Sequence, residues 1–255
     1  MGLLAITTLT ACDKSPVAWE ESTRLLTSDQ VLNAADGISR ENDVVQIDAT
    51  TLPSAACEHS VRLQHMGSTV DAVYWSPRPD STSRLEFARS RDNGKHWDLH
   101  SVIDSTDIGH TGCRQSTPSI AVDTAMHYVH VSYAMQAKEG PGVFFAHSMD
   151  DGGLFHAPVP IVYGERLGRS AVAAAGDRVV VAFEDPNGSR QRIGLALSRT
   201  MGHIFEDRIT DVSGTEGSAT DPMVTLGRGK LRVTWRERTP GQPTPVVRVR
   251  TGTLP

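Results

Sequence analysis

The chain has 255 residues, 38 % of them hydrophobic and 22 % charged, with 25 Lys and Arg against 30 Asp and Glu for a net charge of −5. That is enough apolar material for one sizeable domain, and the charge is too mild and scattered, with no Lys/Arg tract interleaved with aromatics, to expect a nucleic-acid partner. A Cys-x-x-Cys-His haem site, a Gly-rich phosphate loop and a Gly-x-Ser-x-Gly elbow are all missing from the sequence, so no cofactor is expected and nucleotide or serine-hydrolase chemistry is not indicated.

From the N-terminus, residues 2–11 are apolar or small and end in Leu9-Thr10-Ala11-Cys12, which resembles the lipobox of bacterial lipoproteins, although no Lys or Arg precedes it. The resemblance implies a signal peptide over 1–12, a lipid on Cys12, and a mature protein held on a membrane at the periplasmic or outer cell face. Residues 13–56 make an N-terminal segment in which Thr27-Ser28-Asp29-Gln30 reads as the capping box of a short helix ended by Gly37, and 44–48 reads as a strand. From residue 57 to 255 the chain repeats. First strands are expected to start near Cys57, Cys113, Leu167 and Ser218. Second strands follow at 70–75, 127–133, 178–183 and 230–235, and third strands at 85–90, 143–148, 193–198 and 246–250, with the β-branched and aromatic content that strands favour. Fourth strands are expected at 98–103, 157–162 and 206–209, and the last unit has none. Units of this kind bury their faces only against one another, so 57–255 reads as one all-β repeat domain.

Three of the third strands run into a common octet. Ser90, Asp92, Gly94 and Trp97 give the pattern Ser-x-Asp-x-Gly-x-x-aromatic; Ser148, Asp150, Gly152 and Phe155 repeat it; Ser198, Gly202 and Phe205 keep it with Thr200 in place of Asp. An Asp side chain can accept nearby backbone N–H groups, Gly supplies the positive φ of the turn, and the aromatic staples the turn to its sheet. The octet resembles the Asp box, or BNR repeat, of sialidase-like β-propellers, where it closes the turn between the third and fourth strands of a blade. The resemblance implies a propeller of four-stranded blades. Four units fit, with five blades as an alternative if 13–56 holds an eroded unit, and six as in the catalytic wheels of the family. The missing last strand would come from the N-terminal segment, which removes an open edge. Residues 44–48 are the candidate, and charge agrees: residues 13–56 hold eight Asp/Glu against three Lys/Arg, and 221–255 hold seven Lys/Arg against two Asp/Glu.

Under the same resemblance Cys57 and Cys113 lie side by side at the starts of adjacent first strands, either as a disulfide in an oxidising compartment or as two buried thiols. The rim opposite the octets collects the candidates for chemistry. A sialidase calls for an arginine triad, a Tyr nucleophile assisted by Glu, and an Asp acid/base. Arg62 stands where that family has its Arg-Ile-Pro motif, Asp80 in the loop of the acid/base, Arg169 and Arg238 could add guanidinium groups, and Glu184 or Glu237 could pair with Asp80. However, Gln64 stands in place of the Pro, and no tyrosine follows Tyr163. The expectation is therefore a non-catalytic binding or scaffold module, an accessory subunit with a protein partner in a membrane-associated complex. The alternatives are a glycan-binding module, for which Tyr74 and Trp75 are the nearest aromatics, and a reduced glycoside hydrolase. The ten histidines are scattered; His127/His130 and His147/His156 lack metal-ligand spacing, so no metal is expected.

Overall fold

The computed structural model describes residues 15–25, 51–214 and 217–254. Cys12, the capping box with Gly37, and 44–48 lie outside them. The described chain opens with two short strands, β1 (Ala18–Trp19) and β2 (Thr23–Arg24). Four antiparallel sheets follow. The first is the meander β3 (Arg62–Met66), β4 (Thr69–Pro77), β5 (Ser83–Ser90) and β6 (Leu99–Asp104). The second holds β7 (Ser119–Asp123), β8 (Tyr128–Ala137), β9 (Gly140–Ser148) and β10 (Val159–Tyr163). The third holds β11 (Ser170–Ala175), β12 (Arg178–Glu184), β13 (Ile193–Ser198) and β14 (Asp207–Ile209). The fourth has β15 (Ser218–Gly227), β16 (Lys230–Arg238) and β17 (Val246–Thr253), with β1 and β2 both paired to the outer edge of β17.

The outer edge of the last sheet is thus covered by the N-terminal segment at 18–24, whereas the expected closing strand at 44–48 lies outside the described residues. The cover is seated by packing at Gly252: Val17 and the Trp19 ring occupy the space where a Cβ on Gly252 would sit, and Val17 is 1 % exposed. Arg250 adds a cation–π contact, 5.0 Å from the Trp19 ring, and donates to the Glu20 carbonyl at 3.1 Å.

The middle strands of the second and third sheets read as near-continuous apolar runs because both of their faces are covered. Val73, Trp75, Leu85 and Phe87 of the first sheet share a core with Val131, Tyr133 and Phe144 of the second. Phe145 and Ile161 meet Val179, Val181 and Phe183 of the third. Val180, Leu195 and Leu197 meet Leu231, Val233 and Trp235 of the fourth. Successive sheets touch through their first strands, β3 with β7, β7 with β11, and β11 with β15. Among the described residues the fourth sheet is not packed on the first in this way, so the row of sheets does not close into a ring.

The three octets form the same turn. The Ser90 hydroxyl accepts the Gly94 N–H at 2.8 Å and donates to Asp92, which accepts the His96 N–H at 2.8 Å. Ser148, Asp150, Gly152 and Leu154 repeat these bonds at 2.6–2.9 Å. In the third copy the Thr200 hydroxyl accepts the Ile204 N–H at 2.9 Å, replacing the carboxylate. These donors hold Asp92 and Asp150 below the usual carboxylate range, chiefly through the His96 N–H and the Ser148 hydroxyl respectively. Each of the last two turns also docks on the sheet before it. Gly152 lies on the Phe87 ring and Gly202 on the Phe145 ring, with Phe155 5.6 Å from Phe87 and Phe205 5.0 Å from Phe145. Both glycines have φ near +90° (92° and 89°). Gly152→Ala therefore combines backbone strain with a methyl inside the Phe87 ring, and should lower the unfolding free energy by about 2–4 kcal/mol. Urea denaturation checks this; a loss below 1 kcal/mol would mean that the turn is not clamped between the sheets.

Candidate functional site

The rim opposite the octets is made by the starts of the first strands and by the loops between second and third strands. Its densest charge cluster joins the third sheet to the fourth. In β15 the ladder slips between Thr220 and Met223, and Asp221 takes φ 54° in that bulge, an unusual backbone for a residue with a Cβ. The distortion aims the Asp221 N–H at Glu184, which accepts it at 2.8 Å. It also sets the Asp221 carboxylate against Arg169 at 3.0 Å and Arg236 at 3.7 Å. Glu184 ends β12 and is 8 % exposed; burial pushes its carboxyl up despite the N–H groups it accepts.

The other candidates are positioned differently. Glu237 is buried and accepts Arg248 Nε at 3.1 Å and Trp235 Nε1 at 3.3 Å. Asp80, on the first sheet's loop, accepts the Thr82 hydroxyl at 2.6 Å and the Thr82 N–H at 3.0 Å, bonds that hold its carboxyl low. Arg62 is exposed on β3 and has no partner among the described residues. The structure thus gathers Arg169 and Glu184 around Asp221, whereas Asp80 and Arg62 lie on the first sheet, which the whole second sheet separates from the third. Tyr74 and Trp75 are not rim aromatics: both are fully buried, Tyr74 bonded to Ser54 at 3.0 Å and to Glu86 at 3.4 Å, and Trp75 to the Ser116 carbonyl at 3.0 Å.

Beside the Asp221 cluster lies a cavity of about 350 Å³ lined by Arg190, Ser218, Arg238, Thr239, Pro240, Gly241 and Gln242. It opens between the β12–β13 loop and the β16–β17 loop, and Ser218 at the start of β15 donates to the Gln191 side chain of the first of these loops at 3.1 Å. Arg190 and Arg238 are exposed there and have no ion-pair partner among the described residues. Two unpaired guanidinium groups over a concave surface present hydrogen-bond donors of the geometry that planar anions accept. Arg190 carries no motif in the sequence that marks it as part of a site.

Cys57 and Cys113 form a disulfide with Cα atoms 5.2 Å apart, joining the approaches to the first and second sheets. A second unforeseen cluster lies on the octet side, where His130 and His147 meet His156 and His203. As the rings stand, no group of three His, Cys, Asp or Glu among the described residues is set to hold a metal ion.

No protein-family model matches the chain, nor does any curated protein. Solved structures do resemble it. A Dyadobacter fermentans protein of unknown function superposes with a TM-score of 0.57 at 14 % identity, over 76 % of this chain and 52 % of the other. A Trypanosoma rangeli sialidase superposes with a TM-score of 0.50 at 13 % identity, over 74 % of this chain and 36 % of the sialidase. The chain thus spans about half the length of the first and about a third of the second. At such identities the likeness concerns the fold alone, and that fold is a β-propeller of the sialidase-like kind.

Proposed function

We propose that the chain is a non-catalytic binding module on a sialidase-like propeller frame, anchored by a lipid on Cys12 at the periplasmic or outer cell face, where it serves a membrane-associated complex as an accessory subunit. In this reading the octets are Asp boxes with a structural role, and the four sheets are blades of one wheel. One observation carries the proposal: the candidate carboxylates of the rim are already committed, while the two guanidinium groups over the cavity are not. Asp80 serves its own turn, Glu184 holds the Asp221 backbone, and Glu237 holds Arg248. A general acid or base must instead be within reach of a substrate proton. Arg190 and Arg238 offer planar, bidentate donors that suit the carboxylates of an acidic protein loop. A protein partner is favoured over a glycan because the aromatics that would stack on sugar rings, Tyr74 and Trp75, are in the core.

The test is gentle detergent extraction of the native membrane, affinity capture, and mass spectrometry of both the partners and the N-terminal peptide. A stoichiometric partner and a diacylglyceryl group on Cys12 are expected. Arg190→Glu combined with Arg238→Glu, both at exposed positions, should weaken partner capture at least about tenfold, as loss of charge-assisted bonds does. Sialoside hydrolysis that disappears in Asp80→Ala would sink the non-catalytic reading.

A further inference from the structure

Four histidines meet where the second sheet packs on the third octet turn. His130 on β8 and His147 on β9 are cross-strand partners, 0 % and 3 % exposed. His156, just past the second octet, donates its backbone N–H to the His147 carbonyl at 2.9 Å and stacks its ring on His147 at 4.7 Å. His203, from the third octet, meets the His147 ring edge-on at 4.5 Å. Tyr128 and Phe145 stack on His130 at 5.5 and 5.9 Å. Neither ring nitrogen of His130, nor Nε2 of His147, has a hydrogen-bond partner.

The charges facing this stack offer a single compensating carboxylate. Asp123, at the end of β7, is the one carboxylate that acts on His130, and it already accepts the N–H groups of Ala125, Met126 and Gly176. The remaining titratable groups that act on His130 and His147 are other histidines of the stack, including His156 and His203. An uncharged imidazole is tolerated in such a place at modest cost. An imidazolium there would carry an N–H with no acceptor and face like charges whose rings are 4.5–6.4 Å away.

We infer that this stack is an acid-sensitive joint between the second and third sheets: uncharged, it keeps the third octet turn seated on Phe145; protonated, it releases that turn. The direction follows from linkage. Burial, reinforced by the neighbouring histidines, holds both His130 and His147 down to about 4 from 6.5. Above the ordinary histidine range the closed and open joints bind the same number of protons. As pH falls from there towards 4, the open joint takes up protons that the closed one refuses, so closure is progressively lost. At pH 5 one such histidine favours opening by about thirtyfold relative to pH 7.5.

The experiment is amide hydrogen exchange on the full chain at pH 7.5 and pH 5, corrected for the intrinsic pH dependence of exchange. Protection at His156 and across 201–205 should fall at least tenfold, while the first octet, around Asn93 and Gly94, keeps its protection. His130→Phe with His147→Phe preserves the ring stack without a titrating group and should abolish the response. If that variant does not fold, imidazole NMR titration of the unmodified protein decides the matter: His130 should stay uncharged well below pH 6. Protection unchanged at pH 5, an equal fall at the first octet, or a His130 that titrates near 6.5 with the joint closed would each overturn the inference.

Discussion

Asp71→Ala should lower the unfolding free energy by about 3–5 kcal/mol, because it takes the bidentate partner from a buried cation. Asp71 is fully buried on β4 and faces its cross-strand partner Arg89 on β5, which grips it bidentately at 2.6 and 2.7 Å. Arg89 is itself 7 % exposed at its side chain, and its remaining partner, at 2.8 Å, is Asp151 in the second octet. Asp151 also meets His127 at 2.7 Å, so a chain of charges sews the first sheet to the turn of the second. Burial raises the Asp71 carboxyl despite the neighbouring guanidinium, whereas the carboxylates keep the Arg89 guanidinium charged, so desolvation opposes the attraction within the pair. Removing both charges should therefore cost much less than removing one. Asp71→Leu with Arg89→Met should recover most of the lost stability, read as the midpoint shift in urea at unchanged slope. A double variant as damaged as Asp71→Ala would mean that the pair contributes net attraction after all.

The repeat was legible because its chemistry is local. Val70 and Val179 open second strands that are apolar on both faces, and the octets carry their hydrogen bonds within eight residues, so the second, third and fourth strands agree with their expected spans to within a few residues. The third octet was legible even without its Asp, since the Thr200 hydroxyl takes over the same N–H. What the sequence hid depends on tertiary contact. Strands β1 and β2 have two residues each and no alternation of their own; they exist because Val17 and Trp19 fill the space above Gly252. Arg169 and Glu184 were visible as charges, but their convergence on Asp221 depends on the left-handed backbone of Asp221, which the pair Asp221-Pro222 does not announce. His203 reaches His147 only because one sheet stacks on the next, a relation that spacing along the chain does not encode.

The disulfide supplies the second large effect. Cys57→Ser with Cys113→Ser should cost about 4 kcal/mol, the chain entropy released when a loop with a sequence separation of 56 is no longer closed in the unfolded state. For a chain of this size that corresponds to a fall in Tm of roughly 8–16 °C. Little of the loss should come from the folded seam, which has other ties. Cys57 donates its N–H to the Trp75 carbonyl at 2.8 Å, Trp75 Nε1 reaches the Ser116 carbonyl at 3.0 Å, and the Thr117 hydroxyl reaches the His59 carbonyl at 2.8 Å. The double variant should therefore keep native amide protection in β3 and β7 at low temperature while unfolding earlier on heating. The unmodified protein in excess reductant should behave in the same way. A fall in Tm of under about 3 °C would show that the reduced, unfolded chain already keeps these two segments together. This stabilisation is available only where thiols are oxidised, so a chain that depends on it is expected to work outside the reducing cytosol.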